Sequence, residues 1–258
     1  MHQVSYQEHP AFNTPSGDTV LWRYMDFARF VSLLERRALF FSAAAHLSDP
    51  FEGSYPKANV TARREMFSST AMAPETVSQV VMNAATFARG IRKFTYISCW
   101  HTNSVESAAM WAQYATIDRG IAVRTTFERL TKSLQPSPDE PFYAGAVQYV
   151  DFQSATIPDG NTFYPFMHKR LSFAYEQELR AVVLRLPIVG EEDSETIDIP
   201  QEGVPGLYIP TDLEYLIEAI YVAPQSPTWV VELIGSLLAR YALTRSVTQS
   251  ILGADPLY

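Results

Sequence analysis

Stretches that read as β-strand recur along this 258-residue chain, but they are short, and the helices between them keep no regular spacing. That irregularity constrains the fold more than any other feature. A doubly wound parallel sheet needs a crossover, usually a helix, between parallel neighbours. Here β-branched and aromatic residues predict strands at TVLWRY (19–24), ALFFS (38–42), KFTYISCW (93–100), RGIAVRT (119–125), FYAGAVQYVD (142–151) and ELRAVVLRL (178–186). TIDIP, GLYIP, LIEAIYVAP (216–224) and RSVTQS (245–250) add shorter ones. Apolar residues at helical spacing predict helices at 26–37, 74–91, 104–115, 163–172 and 226–243, with a short one before Leu134. Residues 54–72 stay ambiguous, and GEEDSE (190–195) reads as a charged hairpin or loop. No Pro/Gly/Ser-rich linker and no internal repeat divides the chain. The expectation is an α+β fold: a single domain over 1–258, built from short mixed strands with peripheral helices and an irregular arm at 1–17.

Charge narrows the range of functions. Twenty basic against twenty-eight acidic residues give a net charge of −8. A broad nucleic-acid footprint or an anionic membrane surface would need a basic face. The basic side is lopsided, with sixteen arginines and four lysines (57, 93, 132, 169). Arginine's planar fork suits carboxylate and phosphate, so a small phosphorylated ligand in one local pocket fits this composition. GC-rich codon usage would give the same bias. The single Cys99 leaves no disulfide framework and no thiol-based zinc site. The five histidines (2, 9, 46, 101, 168) lack metal-site spacing, and no phosphate-loop or nucleophile-elbow motif is present, so no metal is expected. The first residues carry no basic stretch followed by an apolar one, and no apolar run approaches eighteen residues. A soluble cytoplasmic protein is the expectation.

Four constellations could carry chemistry. Glu176, Glu178 and Arg180 share one face at the mouth of a strand, because strand side chains alternate. Paired carboxylates suit proton transfer or stabilisation of a developing cation, though a solvated ion-paired face would look the same. TYISCWHTNSVESAAMWAQYA (95–115) places Ser98 with Trp100 on a strand, and Trp111 with Tyr114 on a helix. Such aromatics suit a nucleotide ligand or simply a core. Arg23 interrupts an apolar strand, so it is exposed or buried with a partner. Asp49 and Glu52, in a turn, suit ion pairs to Arg170 or Arg180. His168-Lys169-Arg170 is the densest basic spot and a candidate phosphate contact.

The ordered series LWRYMDF (21–27), FFS…LSDPFEG (40–53), ISCWHTNSVESAAMWAQYA (97–115), GIAVRT (120–125), VQYVD (147–151), HKRLSFAYEQELR (168–180) and IYVAP (220–224) resembles a widespread bacterial family defined as a domain of unknown function. More loosely, an Arg on the first strand, a Ser on a middle strand and Glu-x-Glu opening a late strand resemble the ADP-ribosyltransferase-like fold. That resemblance implies NAD as substrate, with no tightly bound cofactor. It implies Arg23 on the NAD phosphate or ribose, Ser98 supporting the carboxylate and ribose, Glu178 as the catalytic glutamate and Glu176 as the acid that activates an acceptor. Trp100 or Tyr114 would stack on nicotinamide. It further implies ADP-ribose transfer to a macromolecular acceptor or NAD hydrolysis, in the manner of toxins and phage-defence effectors. Two other readings compete. One is a non-catalytic binding module on the same fold. The other is a metal-dependent nuclease or phosphodiesterase using Asp49, Glu52, Glu176, Glu178 and Lys169.

Overall fold

The computed structural model describes residues 6–70, 72–115, 119–137, 140–186, 203–254 and 256. The predicted loop at 190–195 and the TIDIP strand lie outside the described residues. The others order as β1 (Val20–Met25), α1 (Phe27–Arg36), β2 (Ala38–Ala43), α2 (Lys57–Ser68), α3 (Pro74–Ile91), β3 (Thr95–Thr102), α4 (Ala108–Tyr114), β4 (Ile121–Thr126), α5 (Phe127–Ser133), β5 (Phe142–Ala146), β6 (Gln148–Val150), β7 (His168–Arg170), β8 (Glu178–Leu184), β9 (Gly206–Pro210), α6 (Leu213–Leu216), β10 (Ala219–Val222), α7 (Thr228–Arg240) and β11 (Val247–Gln249).

Local chemistry accounts for most of these boundaries. The Asp26 carboxylate caps α1 by accepting from the Arg29 amide at 2.8 Å, and Phe30, Leu33 and Leu34 form its buried stripe. The helix ends at Arg37, in the left-handed region at φ 46°. The ambiguous segment resolves into α2. The helix expected from 104 starts only at Ala108, because the Ser107 hydroxyl caps it by accepting from the Met110 amide. Two predictions fail instructively. The run 142–151 is two strands in different sheets, separated at Val147. The helix expected at 163–172 is a 3₁₀ turn, the short strand β7 and a second 3₁₀ turn over Leu171–Glu176. At 163–172 tertiary contacts override a weak helical periodicity, and at 142–151 they divide one strand-forming run between two sheets. The N-terminal arm is irregular but anchored, with Tyr6 bridging Phe142 and Asn13 bridging Ala146.

One mixed sheet runs β11-β10-β4-β1-β3-β2-β9, with β8 on the other side of β3 and β5 beyond it. Its pairs are antiparallel except β10–β11. The decisive feature is a fork along β3. On one side, β8 pairs with β3 from Thr95 to His101. On the other, β1 pairs only at Thr102 and His101, and β2 only at Ile97 and Tyr96. The stretch Ser98–Trp100 faces the gap where β1 and β2 diverge. One sheet face is covered by the main core, which includes Leu21, Phe30, Phe41, Trp100, Ala181 and Ile220. The opposite face carries two smaller clusters, one around Ile97, Phe166 and Val182, the other around Trp22, Tyr24 and Trp111. By strand alternation, Cys99, His101, Glu178 and Arg180 share that second face.

Candidate functional site

A cavity of about 550 Å³ opens at the fork. Arg23, Phe40 and Trp100 contribute to its wall, and so do Glu52, Lys169, Glu176, Glu178 and Arg180. That size is ordinary for a small-molecule site.

Arg23 spans the fork. Its guanidinium donates to the Ser98 hydroxyl and, at 3.0 Å, to the Phe40 carbonyl. Its Cζ lies 5.5 Å from the Trp100 ring centre, and the Trp100 indole donates to the same Ser98 hydroxyl at 3.1 Å. Among the described residues, no carboxylate lies within ion-pair distance of Arg23. Burial pushes its pKa down to about 10, against an opposing contribution from Cys99 and with a further lowering from Arg29. Ser98 is fully buried beneath it. The hydroxyl expected to support the carboxylate instead holds the arginine and the indole.

The acidic cluster is the reverse case. The turn at Asp49–Gly53 brings Glu52 inward; Gly53 has φ 70°, and a Cβ there would run into the Phe166 ring. Arg180 grips Glu52 with both terminal nitrogens, at 2.8 and 2.7 Å. It also holds Glu178, through Nε to Oε1 at 2.9 Å and Nη2 to Oε2 at 3.0 Å. Lys169 donates to Glu176 and, at 3.2 Å, to Glu178, and lies 3.4 Å from Glu52. The Tyr114 hydroxyl donates to Glu176 Oε1 at 2.7 Å. All five charged residues are buried. Three carboxylates against two cations leave one negative charge over.

Burial alone would raise the Glu178 pKa, but the Arg180 guanidinium and the Lys169 ammonium outweigh it and hold the carboxyl at about 2. Burial would lower both cations; for Arg180, Glu178 and Glu52 instead push it well up, and the same pair raises Lys169. Burial, and next the Glu178 charge, raises the Cys99 thiol.

The expected residues thus separate into groups. Arg23, Trp100, Tyr114, Lys169, Glu176, Glu178, Glu52 and Arg180 line one cavity. Glu176 reaches it from the 3₁₀ turn, not from β8, because Gln177 takes the left-handed conformation at φ 40° and the strand starts at Glu178. Trp111 is 1% exposed in the cluster beside α4 and does not line the cavity. Its indole donates to Glu106, so the helix face expected to hold both aromatics divides between core and site. Arg170 is spent on Asp49, through contacts of 3.1 and 2.8 Å, rather than presented to a ligand. The pairing of Asp49 and Glu52 with Arg170 and Arg180 follows the expectation.

Two neighbours were not singled out from the sequence. Tyr149 accepts the Glu178 amide at 2.8 Å and fixes the start of β8. His101 stands directly opposite Glu178 in the β3–β8 register. Its two-residue step from Cys99 was visible, but the register across strands was not. Among the described residues, no group of three His, Cys, Asp or Glu is placed to hold a metal ion. No helix among them is long and apolar enough to cross a membrane.

No family model and no curated protein matches the chain. Two solved structures align along most of it. Thermus sp. 2.9 DarT in complex with NAD+ is 9% identical over 92% of this chain and 98% of that one, with a TM-score of 0.40. The same protein in complex with ADP-ribosylated ssDNA is 10% identical over 92% and 96%, also at 0.40. The chemistry of the site rests on its own side chains.

Proposed function

We propose that the fork cavity binds NAD and that the protein cleaves the nicotinamide–ribose bond, passing ADP-ribose to water or to an acceptor. The observation that carries this reading is Arg23, without a carboxylate partner among the described residues, on the wall of a cavity that also holds an excess carboxylate. A largely buried guanidinium with hydrogen bonds but no counter-ion is a binding site for an anion, and a pyrophosphate is a two-pronged match. Cleavage of the bond develops positive charge on the ribose, and a fixed carboxylate nearby stabilises it. Glu178, ionised throughout the neutral range, supplies that charge. Its partners hold it in place, so little reorganisation is needed at the moment of reaction. Ser98 and Trp100 hold Arg23 in its spanning position. The Arg–Ser–Glu order along the chain agrees with this assignment.

A second reading has one observation in its favour. Both oxygens of Glu178 already accept hydrogen bonds from Lys169 or Arg180. A site so neutralised could bind a dinucleotide without acting on it.

The test follows nicotinamide release from NAD by chromatography, with NAD affinity measured by calorimetry. Release in the wild type should fall at least about 100-fold in Glu178→Gln, which keeps the side-chain shape while removing the charge. Undiminished release in that variant removes Glu178 from the mechanism. Binding without release in the wild type selects the second reading, and the absence of both rejects NAD.

A further inference from the structure

The acidic cluster cannot easily supply a base. Taking up a nucleophile's proton needs an acceptor whose lone pair is free, whereas the oxygens of Glu52, Glu176 and Glu178 are held by Arg180, Lys169 and Tyr114. Glu178, in addition, sits far too low in pKa to accept a proton near neutrality.

His101 has what the carboxylates lack. It is 3% exposed and forms part of the cavity wall. Its Nδ1 lies 2.6 Å from the Glu176 carbonyl oxygen, which can only accept, so Nδ1 carries the hydrogen. Nε2 is then a bare lone pair. It is buried and has no hydrogen-bond partner among the described residues. Thr102, Arg92 and Glu218 also hold a buried polar atom without a partner, but none of these three residues lines the cavity. A native fold rarely leaves a buried acceptor unpaired, because its lost hydration goes uncompensated.

Register adds the second argument. His101 pairs with Trp22 on one side and Glu178 on the other, which places the three side chains in one row across β1, β3 and β8. Directly opposed residues stand about 4.5–5.5 Å apart at Cβ. An imidazolium formed at His101 would therefore sit beside the cluster's excess negative charge. The Tyr24 ring meets the histidine in an edge contact, 6.2 Å between centres.

Resting on the NAD-cleaving reading above, we infer that His101 is a catalytic residue: its Nε2 takes the proton of the attacking hydroxyl, whether from water or from an acceptor. The balance is simple. The nucleophile's O–H proton moves to Nε2. Its oxygen forms the new bond to the anomeric carbon of the ribose. The bond from that carbon to the nicotinamide nitrogen breaks, its electron pair stays on the nitrogen, and nicotinamide leaves neutral. Burial favours the neutral imidazole that this role requires, against a smaller opposing pull from Glu176.

Two variants test this against the wild type. His101→Asn can keep a donor toward the Glu176 carbonyl while removing Nε2. His101→Gln puts a hydrogen-bonding amide near the Nε2 position but no base. Both should bind NAD within about threefold of the wild type and release nicotinamide at least about 100-fold more slowly at saturation. If the wild type turns over and the variants keep pace, the inference fails while the NAD reading stands. Equal losses in affinity and turnover also overturn it, because they assign His101 to binding alone. A wild type that binds NAD without cleaving it defeats the inference together with the catalytic reading. A ¹⁵N-histidine spectrum of the wild type guards against misfolded variants: Nε2 of His101 should be unprotonated and should shift when ADP-ribose is added, and a protonated Nε2 at neutral pH would overturn the assignment.

Discussion

Arg23 and Arg180 line the same cavity and end in opposite electrostatic states. Arg180 is wholly buried between Glu52 and Glu178, and their charges push its pKa up against the cost of burial. Arg23 has the Ser98 hydroxyl, the Phe40 carbonyl and the Trp100 ring, and burial pulls its pKa down. One arginine is satisfied by the protein. The other is positioned by the protein and left for something else to satisfy. On the proposed function, the difference separates the part of the cavity that holds the fold together from the part that binds the ligand.

The sharpest way to break this comparison is to remove each arginine in turn. Arg180→Met strands two buried carboxylates with Lys169 as their remaining cation, and losing one member of a buried ionic group costs about 3–5 kcal/mol. Urea unfolding should show that fall, and a loss below about 1 kcal/mol would mean that the network does not support the fold.

Acid should act on the same side of the contrast. The folded pKa of Glu178, about 2, lies below its ordinary 4.5. The stability it contributes is therefore complete above about 4.5 and drains away as the pH falls toward 2. Glu178→Gln should flatten the stability profile in that window, and an unchanged slope would show that Glu178 is not held by its partners.

Arg23→Met should have the smallest effect on folding. Removing a cation without a counter-ion leaves no stranded opposite charge, so the unfolding midpoint should hold or rise. Affinity for NAD or ADP-ribose should nevertheless fall by about tenfold or more. A clear loss of stability with unchanged affinity would make Arg23 structural and erase the contrast with Arg180.

Much of this molecule was legible residue by residue. The strand cores from β1 to β5 and at β8 to β10 follow β-branched and aromatic runs, and the α1 boundary follows its Asp26 cap. The chain also showed which residue types could do chemistry here, and it paired Asp49 and Glu52 with Arg170 and Arg180. Where local signals are weak, tertiary contacts decide the structure instead. The helix expected at 163–172 contains a strand, since three residues of β7 find a parallel partner in β6 that no local pattern announces. Trp111 and Tyr114 share helical spacing but not a fate, because one meets the core and the other meets Glu176.

By itself the sequence determined an acidic α+β chain whose positive charge is mostly arginine, with its chemistry-bearing side chains on predictable strands and turns. Local propensity and alternation settle those properties. Only the tertiary structure decided that β1 and β2 diverge along β3, that Arg23 lies in the gap without a counter-ion among the described residues, and that His101 faces Glu178. Each of these depends on strand register and sheet order, which are fixed by packing between segments far apart in the chain. A one-residue slip of β8 against β3 would leave every residue type unchanged and dismantle the site.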